Sequence, residues 1–474
     1  MPPLANGDIR GNLGMNLITE LRQRFGERAV LDSEQLAERA AGIWRPLERL
    51  SGRALVRPEN TEQISELLAF SHEHEIPVVT QGGLTGLVHG ADTSSECVIL
   101  SLERMNQIET IDAPQRCARA QAGVTLQQLQ EAVAPHGLMF PLDLGARGTA
   151  TIGGNAATNA GGNRVLRYGM MRDMVLGLEA VLADGTVINA LNPLIKNNAG
   201  FDVRQLFIGS EGTLGVITRL DLRLRETLSS HQMAFASVQS FDAIKQLLRH
   251  MDRELGGGLS AFEVLWREFY QLVTTPPARG RAPLETDAPY YVLLEAQGSQ
   301  PENDRARFEQ ALSSAFEAGL IDDAVLSQSE SDCERFWGLR DDVQNIFNDG
   351  HAYTFDVSLP IDRMERYVED VKAALTAEHI QNVWVFGHLG DGNIHFAVQV
   401  PRGSEENHRA EVDRAVYSPL ASFRGSVSAE HGIGEEKKGV LDVSRTPETI
   451  ALMRTLKQAL DPKNLLNRGK VIDV

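Results

Sequence analysis

The stretch Gln81-Gly82-Gly83-Leu84-Thr85-Gly86-Leu87 follows the run Ile76 to Thr80, which predicts a short strand. Glycine has no Cβ, so backbone N–H groups in such a stretch can converge on an anion. A strand that leads into Gly82 and Gly83 therefore predicts a cradle for a pyrophosphate. Turn glycines are common, and this stretch taken alone is equally compatible with an ordinary turn.

Two more glycine clusters occur in the same part of the chain. They are Thr151-Ile152-Gly153-Gly154-Asn155, followed by Asn159-Ala160-Gly161-Gly162, and Gly209-Ser210-Glu211-Gly212-Thr213-Leu214-Gly215. None of these clusters is a G-x-G-x-x-G motif, and no G-x-x-x-x-G-K-[ST] motif occurs. The sequence therefore predicts neither a Rossmann dinucleotide site nor a P-loop.

The composition excludes a broad nucleic-acid-binding surface. The 474 residues include 46 Lys and Arg against 64 Asp and Glu, for a formal net charge of -18. Cys97, Cys117 and Cys333 form no C-x-x-C pair, which is typical of a reducing compartment. The first residues lack a basic stretch followed by an apolar one, and no apolar run is long enough to span a membrane. These features predict a cytoplasmic protein without an integral membrane segment.

Two patterns divide the chain. From about Arg53 to Thr227 the predicted strands and helices alternate, whereas from about Ser229 to Gly425 the helices are longer and the strands look antiparallel. The second pattern is typical of an α+β domain. The predicted divisions are an N-terminal segment at 1–47, domains at 48–227 and 228–440, and a C-terminal helix and tail at 441–474 that returns to the first domain.

Candidate catalytic groups cluster in the second domain. Gly387-His388-Leu389-Gly390-Asp391-Gly392-Asn393-Ile394-His395 precedes Ser428-Ala429-Glu430-His431-Gly432. Two imidazoles and one carboxylate are the ligand set of an open zinc or manganese site. A hairpin between His388 and His395 could bring both to one point, whereas side chains on an extended Glu430-His431 would diverge and leave His431 free for proton transfer. His72, His74, His136 and His250 are predicted to be ordinary surface or core residues.

Four stretches of the first domain resemble, in order and spacing, the FAD-binding domain of the vanillyl-alcohol oxidase type, also called the PCMH type. They are Val78 to Gly90, Pro141 to Gly162, Arg167 to Glu179, and Phe207 to Thr218. The resemblance implies an α+β protein in which a two-part α/β FAD-binding domain carries a cap domain with an antiparallel sheet flanked by helices. Some relatives attach FAD through a histidine at the position of Leu84, so the resemblance implies non-covalent FAD here.

The FAD-binding residues implied by the resemblance come mostly from these stretches, with three added from the second domain and the tail. They are Gln81, Gly82, Gly83, Leu84, Thr85, Gly86, Leu87, Pro141, Asp143, Gly145, Thr149, Ile152, Gly153, Gly154, Asn155, Thr158, Asn159, Gly161, Gly162, Ile217, Asn393, Glu430 and Asn467.

The second domain and the ending Leu460 to Asn467 resemble the FAD-linked D-2-hydroxyacid dehydrogenases, and most of all those that act on D-2-hydroxyglutarate. The resemblance implies that His388, His395 and Glu430 bind a divalent metal, zinc or manganese, and that His431 is the catalytic base. It also implies that Asn393 lies near flavin and substrate. Trp337-Gly338-Leu339-Arg340 matches a W-x-x-R motif whose arginine binds a substrate carboxylate.

Two positions depart from the D-2-hydroxyglutarate pattern. Thr354 stands where those enzymes usually have a lysine, and Gln344 stands where they have a threonine. Both are expected to contact substrate, but neither supplies a charge for a second carboxylate. The predicted reaction is therefore FAD-dependent oxidation of a D-2-hydroxy acid to the 2-keto acid, with D-2-hydroxyglutarate favoured and D-lactate, D-malate or another D-2-hydroxy acid as alternatives.

Functions of three other classes are also compatible with the sequence. They are a non-catalytic flavin subunit of an electron-transfer complex, a flavin-dependent transferase like the alkyl-glycerone-phosphate synthases, and a UDP-sugar reductase. The expected electron acceptor is an electron-transfer flavoprotein, a quinone or a cytochrome, and a homodimer is one option for the assembly. No nucleic-acid partner is expected.

Overall fold

The computed structural model describes residues 9–348 and 350–474, and the side chains from residue 17 onward except that of residue 349. The strands of its first half are β1 (Val30–Leu31), β2 (Ala40–Gly42), β3 (Arg45–Arg49), β4 (Ala54–Val56), β5 (Val78–Gln81), β6 (Val98–Ser101), β7 (Ile108–Asp112), β8 (Cys117–Gln121), β9 (Leu138–Met139), β10 (Val175–Val181), β11 (Val187–Ala190), β12 (Val216–Arg223) and β13 (Arg225–Glu226). The helices of this half are α1 (Ile9–Phe25), α2 (Ser33–Leu36), α3 (Thr61–Glu73), α4 (Leu126–Val133), α5 (Ile152–Ala157), α6 (Val165–Tyr168), α7 (Met171–Met174) and α8 (Arg204–Phe207).

Two sheets of different type make up this first half. The strands β4, β6 and β5 are parallel, and β1 pairs antiparallel with β4 at the edge. The second sheet is antiparallel, in the order β11-β10-β12-β8-β7. The helix α3 connects β4 to β5, which lies in the same sheet on the other side of β6, as a parallel crossover requires. The two-part α/β fold predicted for this region is confirmed.

Local sequence explains where α4 begins. Thr125 Oγ1 accepts a hydrogen bond from Gln128 N at 3.2 Å, and Gln128 Oε1 accepts one from Thr125 N at 2.9 Å. This reciprocal pair is a Thr-x-x-Gln capping box, which satisfies N–H groups that the first helical turn leaves free. Leu126, Leu129 and Val133 then bury the inner face of the helix.

The second half is built on one large sheet. Its strands are β14 (Ser230–Val238), β15 (Leu259–Trp266), β16 (Tyr290–Gly298), β17 (Asp323–Leu326), β18 (His351–Ser358), β19 (Asn382–Gly387) and β20 (Asn393–Val400). The helices are α9 (Phe241–Leu255), α10 (Arg267–Thr274), α11 (Pro301–Glu317), α12 (Glu330–Asp341), α13 (Met364–Ala377), α14 (Glu405–Tyr417), α15 (Leu420–Phe423), α16 (Leu441–Ser444) and α17 (Pro447–Leu460).

Helices cover both faces of this seven-stranded sheet, whose order is β17-β14-β16-β15-β19-β20-β18. All of its pairings are antiparallel. Apolar residues of α9, α11 and α13 form a core on one face, and those of α10 and α12 form a core on the other. The expectation of an antiparallel sheet flanked by helices is therefore confirmed.

The C-terminal tail lies against the first half of the chain. Leu466 forms a parallel bridge with Val78, and Asn467 N donates to Val78 O at 2.9 Å. Between the two halves, β13 ends at Glu226 and β14 begins at Ser230. The domain boundaries at 47, 227 and 440 stay predictions, and residues 1–8 of the N-terminal segment lie outside the described residues. No helix in the described ranges is long and apolar enough to cross a membrane.

Candidate active site

A cavity of about 1200 Å³ lies between the glycine-rich loops of the first half and the large sheet of the second. Gly82, Gly83 and Gly154 line it on one side, and His388 and His395 line it on the other. The cavity thus brings together the two groups of residues that the sequence singled out from opposite halves of the chain.

Most of the predicted site residues line this cavity. They are Gly82, Gly83, Leu84, Thr85, Gly86, Leu87, Gly145, Thr149, Gly153, Gly154, Asn155, Thr158, Gly161, Gly162, Ile217, Arg340, Gln344, Thr354, His388, His395, Glu430, His431 and Asn467. Six others are absent from the lining, and for some the side chain is engaged elsewhere. They are Gln81, Pro141, Asp143, Ile152, Asn159 and Asn393.

The engaged side chains explain several of these exceptions. Ile152 is fully buried in the core, Gln81 Nε2 donates to Ala91 O at 3.0 Å, and Asn159 Oδ1 accepts from Arg172 N at 2.9 Å. These side chains stabilise the loops that surround the cavity. Because these side chains do not line the cavity, the structure does not support a direct contact between them and a cofactor.

The glycine side of the cavity fits a large ligand. A Cβ on Gly86 or Gly145 would have no protein atom within 4 Å, so a side chain there would take up space in the cavity. Asn155 Nδ2 is buried and finds no hydrogen-bond partner among the described residues. Free space beside an unpaired donor suits a polar ligand such as a dinucleotide.

Gly83 is glycine for a different reason. A Cβ there would stand 1.9 Å from Thr149 O, so the two cavity loops could not pack together with any other residue at this position. The first and second glycine clusters are therefore in direct contact, as the predicted cradle requires.

His388 and His395 converge at the other side of the cavity. His388 follows β19 and His395 lies in β20, and their ring centroids are 5.3 Å apart. Ligand atoms of His388, His395 and Glu430 lie within 4.8 Å of one another. Burial, together with the positive charge of Arg340 and the neighbouring His388, holds the pKa of His395 well below its usual value, so its ring is neutral and keeps a free lone pair.

Glu430 reaches this point across the boundary between the two halves. Its Oε1 accepts a hydrogen bond from Gly162 N at 2.8 Å, and its Oε2 lies 3.9 Å from His388 Nε2. A glycine-rich loop of the first half thus orients the carboxylate toward the histidines. Gly161 allows this approach, because a Cβ there would stand 2.4 Å from Glu430 Oε1.

Asp356 holds the loop that carries Glu430 and His431, and the sequence analysis missed it. It is fully buried, and its Oδ2 accepts hydrogen bonds from the backbone N–H groups of Ala429, Glu430 and His431 at 3.1, 2.8 and 2.9 Å. Burial raises the pKa of Asp356, but the neighbouring His431, the positive charge of Lys437 and these hydrogen bonds hold it far below its usual range. Asp356 is therefore a buried anion.

The curl around Asp356 corrects the expected geometry of the next residues. An extended Glu430-His431 would direct the two side chains apart, but three convergent N–H groups bend the loop so that both side chains line the same cavity. The ring of His431 stacks near that of His395, with centroids 6.1 Å apart. His431 consequently lies beside the candidate metal ligands and not away from them.

Glu263 is a second carboxylate that the sequence analysis missed. It lies in β15, is 1% exposed, and accepts from His388 Nδ1 at 2.6 Å and from Arg340 Nε at 2.9 Å. Burial raises the pKa of Glu263, but the charges of His388 and Arg340 outweigh it and lower the value. A carboxylate on Nδ1 orients a histidine so that Nε2 faces a metal, which is a frequent arrangement around metal ligands.

Arg340 lines the cavity, and its binding of a substrate carboxylate stays a prediction. Its Nη2 donates to His388 Nε2 at 2.9 Å, and its side chain lines the cavity near Gln344 and Thr354. Asn393 is buried directly behind the site, where its Nδ2 donates to Asp356 Oδ1 at 2.8 Å. Asn393 thus contacts the buried carboxylate, and its contact with a substrate stays a prediction.

Comparison with known proteins identifies the family. The family described as "FAD binding domain" matches residues 52–191, and "FAD linked oxidases, C-terminal domain" matches residues 227–471. The mitochondrial D-2-hydroxyglutarate dehydrogenase of Bos taurus is 42% identical over 448 residues, which cover 94% of this chain and 81% of that protein. The chain belongs to the FAD-linked D-2-hydroxyacid dehydrogenase family.

Other members of this dehydrogenase family are similar over nearly the same length. The D-2-hydroxyglutarate dehydrogenase of Arabidopsis thaliana is 36% identical and covers 96% of this chain and 81% of its own length. A Schizosaccharomyces pombe protein, provisionally named a D-lactate dehydrogenase, is 38% identical and covers 89% of this chain and 82% of its own length. The protein is accordingly an FAD-linked oxidoreductase that acts on CH–OH donors.

Solved structures show that the dehydrogenase has the PCMH-type fold. The 4-ethylphenol oxidase from Gulosibacter chungangensis matches with a TM-score of 0.74 at 18% identity, over 99% of both chains. An alkyldihydroxyacetonephosphate synthase matches with a TM-score of 0.74 at 15% identity, over 98% of this chain and 86% of that one. At such low identity these matches support the fold alone.

The expected cytoplasmic location of the dehydrogenase is wrong by this comparison. The relatives from Bos taurus, Arabidopsis thaliana and Schizosaccharomyces pombe are all named mitochondrial. The cytoplasmic interpretation depended on the lack of a secretory signal and of a membrane span. Neither feature bears on import into an organelle, which uses amphipathic, arginine-rich segments instead.

Proposed function

We propose that this dehydrogenase oxidises a D-2-hydroxy acid to the 2-keto acid with a divalent cation at His388, His395 and Glu430 and with His431 as the base. One observation carries the proposal. The three ligand groups lie within 4.8 Å of one another and line the same cavity as the glycine-rich loops of the FAD-binding domain. A cation site next to a flavin pocket suits oxidation of an alcohol that bears a neighbouring carboxylate.

The FAD would be held non-covalently by the glycine-rich side of the cavity. Leu84 has no nucleophilic atom for a covalent link to FAD. Gly86 and Gly145 leave free space in the cavity for the cofactor. When bound, FAD supplies the acceptor for the two electrons and the hydrogen that leave substrate C2 as a hydride. The chain's own contribution is to orient the substrate, exclude water and receive the hydroxyl proton.

The donor set fits a zinc or manganese ion. Two imidazole nitrogens and one carboxylate leave coordination positions for substrate oxygens, as catalytic sites do. Glu263 on His388 Nδ1 fixes the ring so that Nε2 faces Glu430 Oε2. A cation held there would make the substrate hydroxyl more acidic.

Arg340 and His431 would act directly on the substrate. The planar guanidinium of Arg340 is held by Glu263 at Nε, and its Nη2 donates to His388 Nε2. A cation bound at His388 Nε2 would displace this hydrogen bond and leave Nη2 to donate to the substrate carboxylate. His431 would accept the proton of the C2 hydroxyl while the C2 hydride departs, so the carbonyl forms without a charged product at C2. Asp356 orients His431 by accepting from its backbone N–H.

The proposed electron acceptor of the reduced flavin is an electron-transfer flavoprotein, a quinone or a cytochrome. The proposed assembly is a homodimer. Among substrates, the names of the bovine and Arabidopsis relatives favour D-2-hydroxyglutarate. The name of the Schizosaccharomyces pombe relative favours D-lactate. A non-catalytic flavin subunit would not need the convergent histidines and carboxylate that this cavity contains.

Anaerobic mixing of the purified flavoprotein with D-2-hydroxy acids tests the proposal. D-2-hydroxyglutarate, D-lactate and D-2-hydroxybutyrate are added one at a time. We expect at least one of these acids to bleach the flavin absorbance, and none of their L enantiomers to do so. Pre-treatment with a chelator should slow bleaching by about 10-fold or more, and zinc or manganese should restore it. Rapid bleaching that ignores the chelator would contradict the cation, and no bleaching by any D acid would contradict the reaction.

Gly161→Ala is a structural test of the position of Glu430. The new methyl group would stand 2.4 Å from Glu430 Oε1 and displace the carboxylate, so we expect a loss of cation affinity of about 10-fold or more with FAD still bound. Metal content by mass spectrometry and flavin absorbance would be measured on the same sample. Gly439→Ala is the matched control, because a Cβ there meets no protein atom within 4 Å.

A further inference from the structure

The register of the large sheet places two rows of side chains side by side on the face that meets the cavity. In the histidine row, His395 pairs with Asp356 on β18 and with Phe386 on β19. Two residues along β20, Ala397 pairs with Thr354 on β18 and with Trp384 on β19, and we call these three the tail row. Side chains two residues apart share one face, so the two rows are neighbours at a spacing of about 7 Å.

The tail row is the surface that a substrate chain would meet beyond the histidines. Thr354 and Ala397 line the cavity next to His395. A 2-hydroxy acid whose hydroxyl lies near His395 and His431 extends its remaining carbons over a distance comparable to the row spacing. Thr354 and Ala397 are therefore placed to contact the end of the substrate that does not react.

The segment after α12 faces the same space and is also uncharged. Val343, Gln344, Ile346 and Phe347 line the cavity between Arg340 and the sheet. Gln344 and Thr354 can offer hydrogen bonds, and the others offer apolar contact. Neither the sheet nor this segment presents a positive charge to the substrate tail.

The arginines that line the cavity are already paired with carboxylates, and one of the two lies at the end of the cavity near the glycine-rich loops. Among the described residues, Arg45 and Arg340 are the only arginines that line the cavity, and no lysine lines it. Arg340 pairs with Glu263, and Asp341 lies 3.4 Å from its Nη1. Arg45 pairs with Asp92 and Glu48 beside the glycine-rich loop. Asp341 and Glu430 also line the cavity, and the tail row and the cavity-lining residues after α12 offer no cationic side chain to a second carboxylate.

A second carboxylate in the tail would therefore find no cationic side chain on the tail row or among the cavity-lining residues after α12, although Thr354 and Gln344 are themselves exposed. Any loss of hydration by a charged group that lacks an opposite charge is unfavourable. A tail without charge has no such cost, and it gains contact with Thr354, Gln344 and the apolar residues around them. The uncharged lining thus favours a neutral tail over a second carboxylate.

We infer that the substrate of this enzyme is a D-2-hydroxy monocarboxylic acid with a short uncharged tail, and that Thr354 and Gln344 set this preference. The inference rests on the proposed oxidation of D-2-hydroxy acids and narrows it. Arg340 and the cation site bind the one carboxylate and the hydroxyl, which every D-2-hydroxy acid has. Selectivity then depends on the tail row and on Gln344.

Three acids with the same five-carbon chain form the decisive series. D-2-hydroxyvalerate has an apolar tail, the 5-amide of D-2-hydroxyglutarate has a neutral polar tail, and D-2-hydroxyglutarate has a charged one. Steady-state kcat/KM with an artificial electron acceptor would be measured for each with the complete flavoprotein. We expect the better neutral acid to exceed D-2-hydroxyglutarate by about 10-fold or more.

Thr354→Lys provides the complementary test. A lysine on the tail row would supply the missing charge, so kcat/KM for D-2-hydroxyglutarate should rise by about 10-fold while that for D-2-hydroxyvalerate falls. Thr354→Met has similar length without the charge and should not raise activity on D-2-hydroxyglutarate. Flavin content and thermal melting of both variants would show that they fold.

The possible outcomes separate this inference from the proposed function. If no D-2-hydroxy acid reduces the flavin, the proposed reaction is wrong and the inference falls with it. If the acids are oxidised but D-2-hydroxyglutarate matches or exceeds both neutral acids with the unsubstituted enzyme, the reaction stands and the inference is overturned. The latter comparison needs no variant, so a folding defect of Thr354→Lys cannot obscure it.

Discussion

Replacing His431 by Gln is expected to lower the rate of flavin reduction by a D-2-hydroxy acid by roughly 1000-fold, while FAD and the divalent cation stay bound. His431 lines the cavity beside His395, and its imidazole is the group proposed to take the hydroxyl proton. Glutamine keeps a polar side chain of similar length but cannot accept a proton at neutral pH. Anaerobic stopped-flow absorbance with a saturating D acid measures the rate of reduction directly.

The control for this variant is His351→Gln. His351 begins β18, the strand that carries Asp356, but it is exposed and does not line the cavity. This control should reduce its flavin at the rate of the unsubstituted enzyme. A His431→Gln rate close to that of the control would show that another group takes the proton.

Replacing Asp356 by Asn is expected to destabilise the protein by about 3 kcal/mol and to abolish most of its activity. Three backbone N–H groups donate to Asp356 Oδ2, and Lys437 Nζ lies 3.9 Å from that oxygen. An asparagine amide would direct its own N–H₂ group at these donors or leave Lys437 buried without an anion. The loop that carries Glu430 and His431 would then lose its conformation.

Urea denaturation followed by circular dichroism would measure the free energy of unfolding of Asp356→Asn, and flavin reduction would measure the site. Asp362→Asn is the matched control, since Asp362 is exposed near the start of α13. If Asp356→Asn unfolds at the same urea concentration as the control and reduces its flavin normally, the proposed role of Asp356 in holding the loop is wrong.

Local features of the chain were sufficient to predict much of the site. Gly82 and Gly83, the capping box at Thr125, and the hairpin between His388 and His395 each depend on residues close together in sequence. The hairpin places both histidines at one end of β19 and β20, because paired strands fix which residues face each other. For that reason the predicted convergence of the two imidazoles agrees with their 5.3 Å separation.

The carboxylates that support the site could not be found in this way. Glu263 and His388 are 125 residues apart in sequence, and Asp356 is 75 residues from His431. Neither acid lies in a glycine-rich turn; Glu263 is part of the mostly apolar strand β15, and Asp356 is part of β18, where polar and apolar residues are mixed. A charged residue in such a strand indicates only that a partner must exist, because an unpaired buried charge is unfavourable.

The amino-acid sequence by itself determined the two halves of the chain, the glycine-rich loops and the residue types that a flavin and a cation need, because turns, caps and strand periodicity depend on near neighbours. Only the tertiary structure decided which acids hold Arg340 and His431, how Glu430 reaches the histidines through Gly162, and which uncharged side chains face the substrate tail. Those outcomes depend on the packing of the two halves and on the register of β18 with β20. Such contacts between distant segments depend on how the side chains of the whole core pack together.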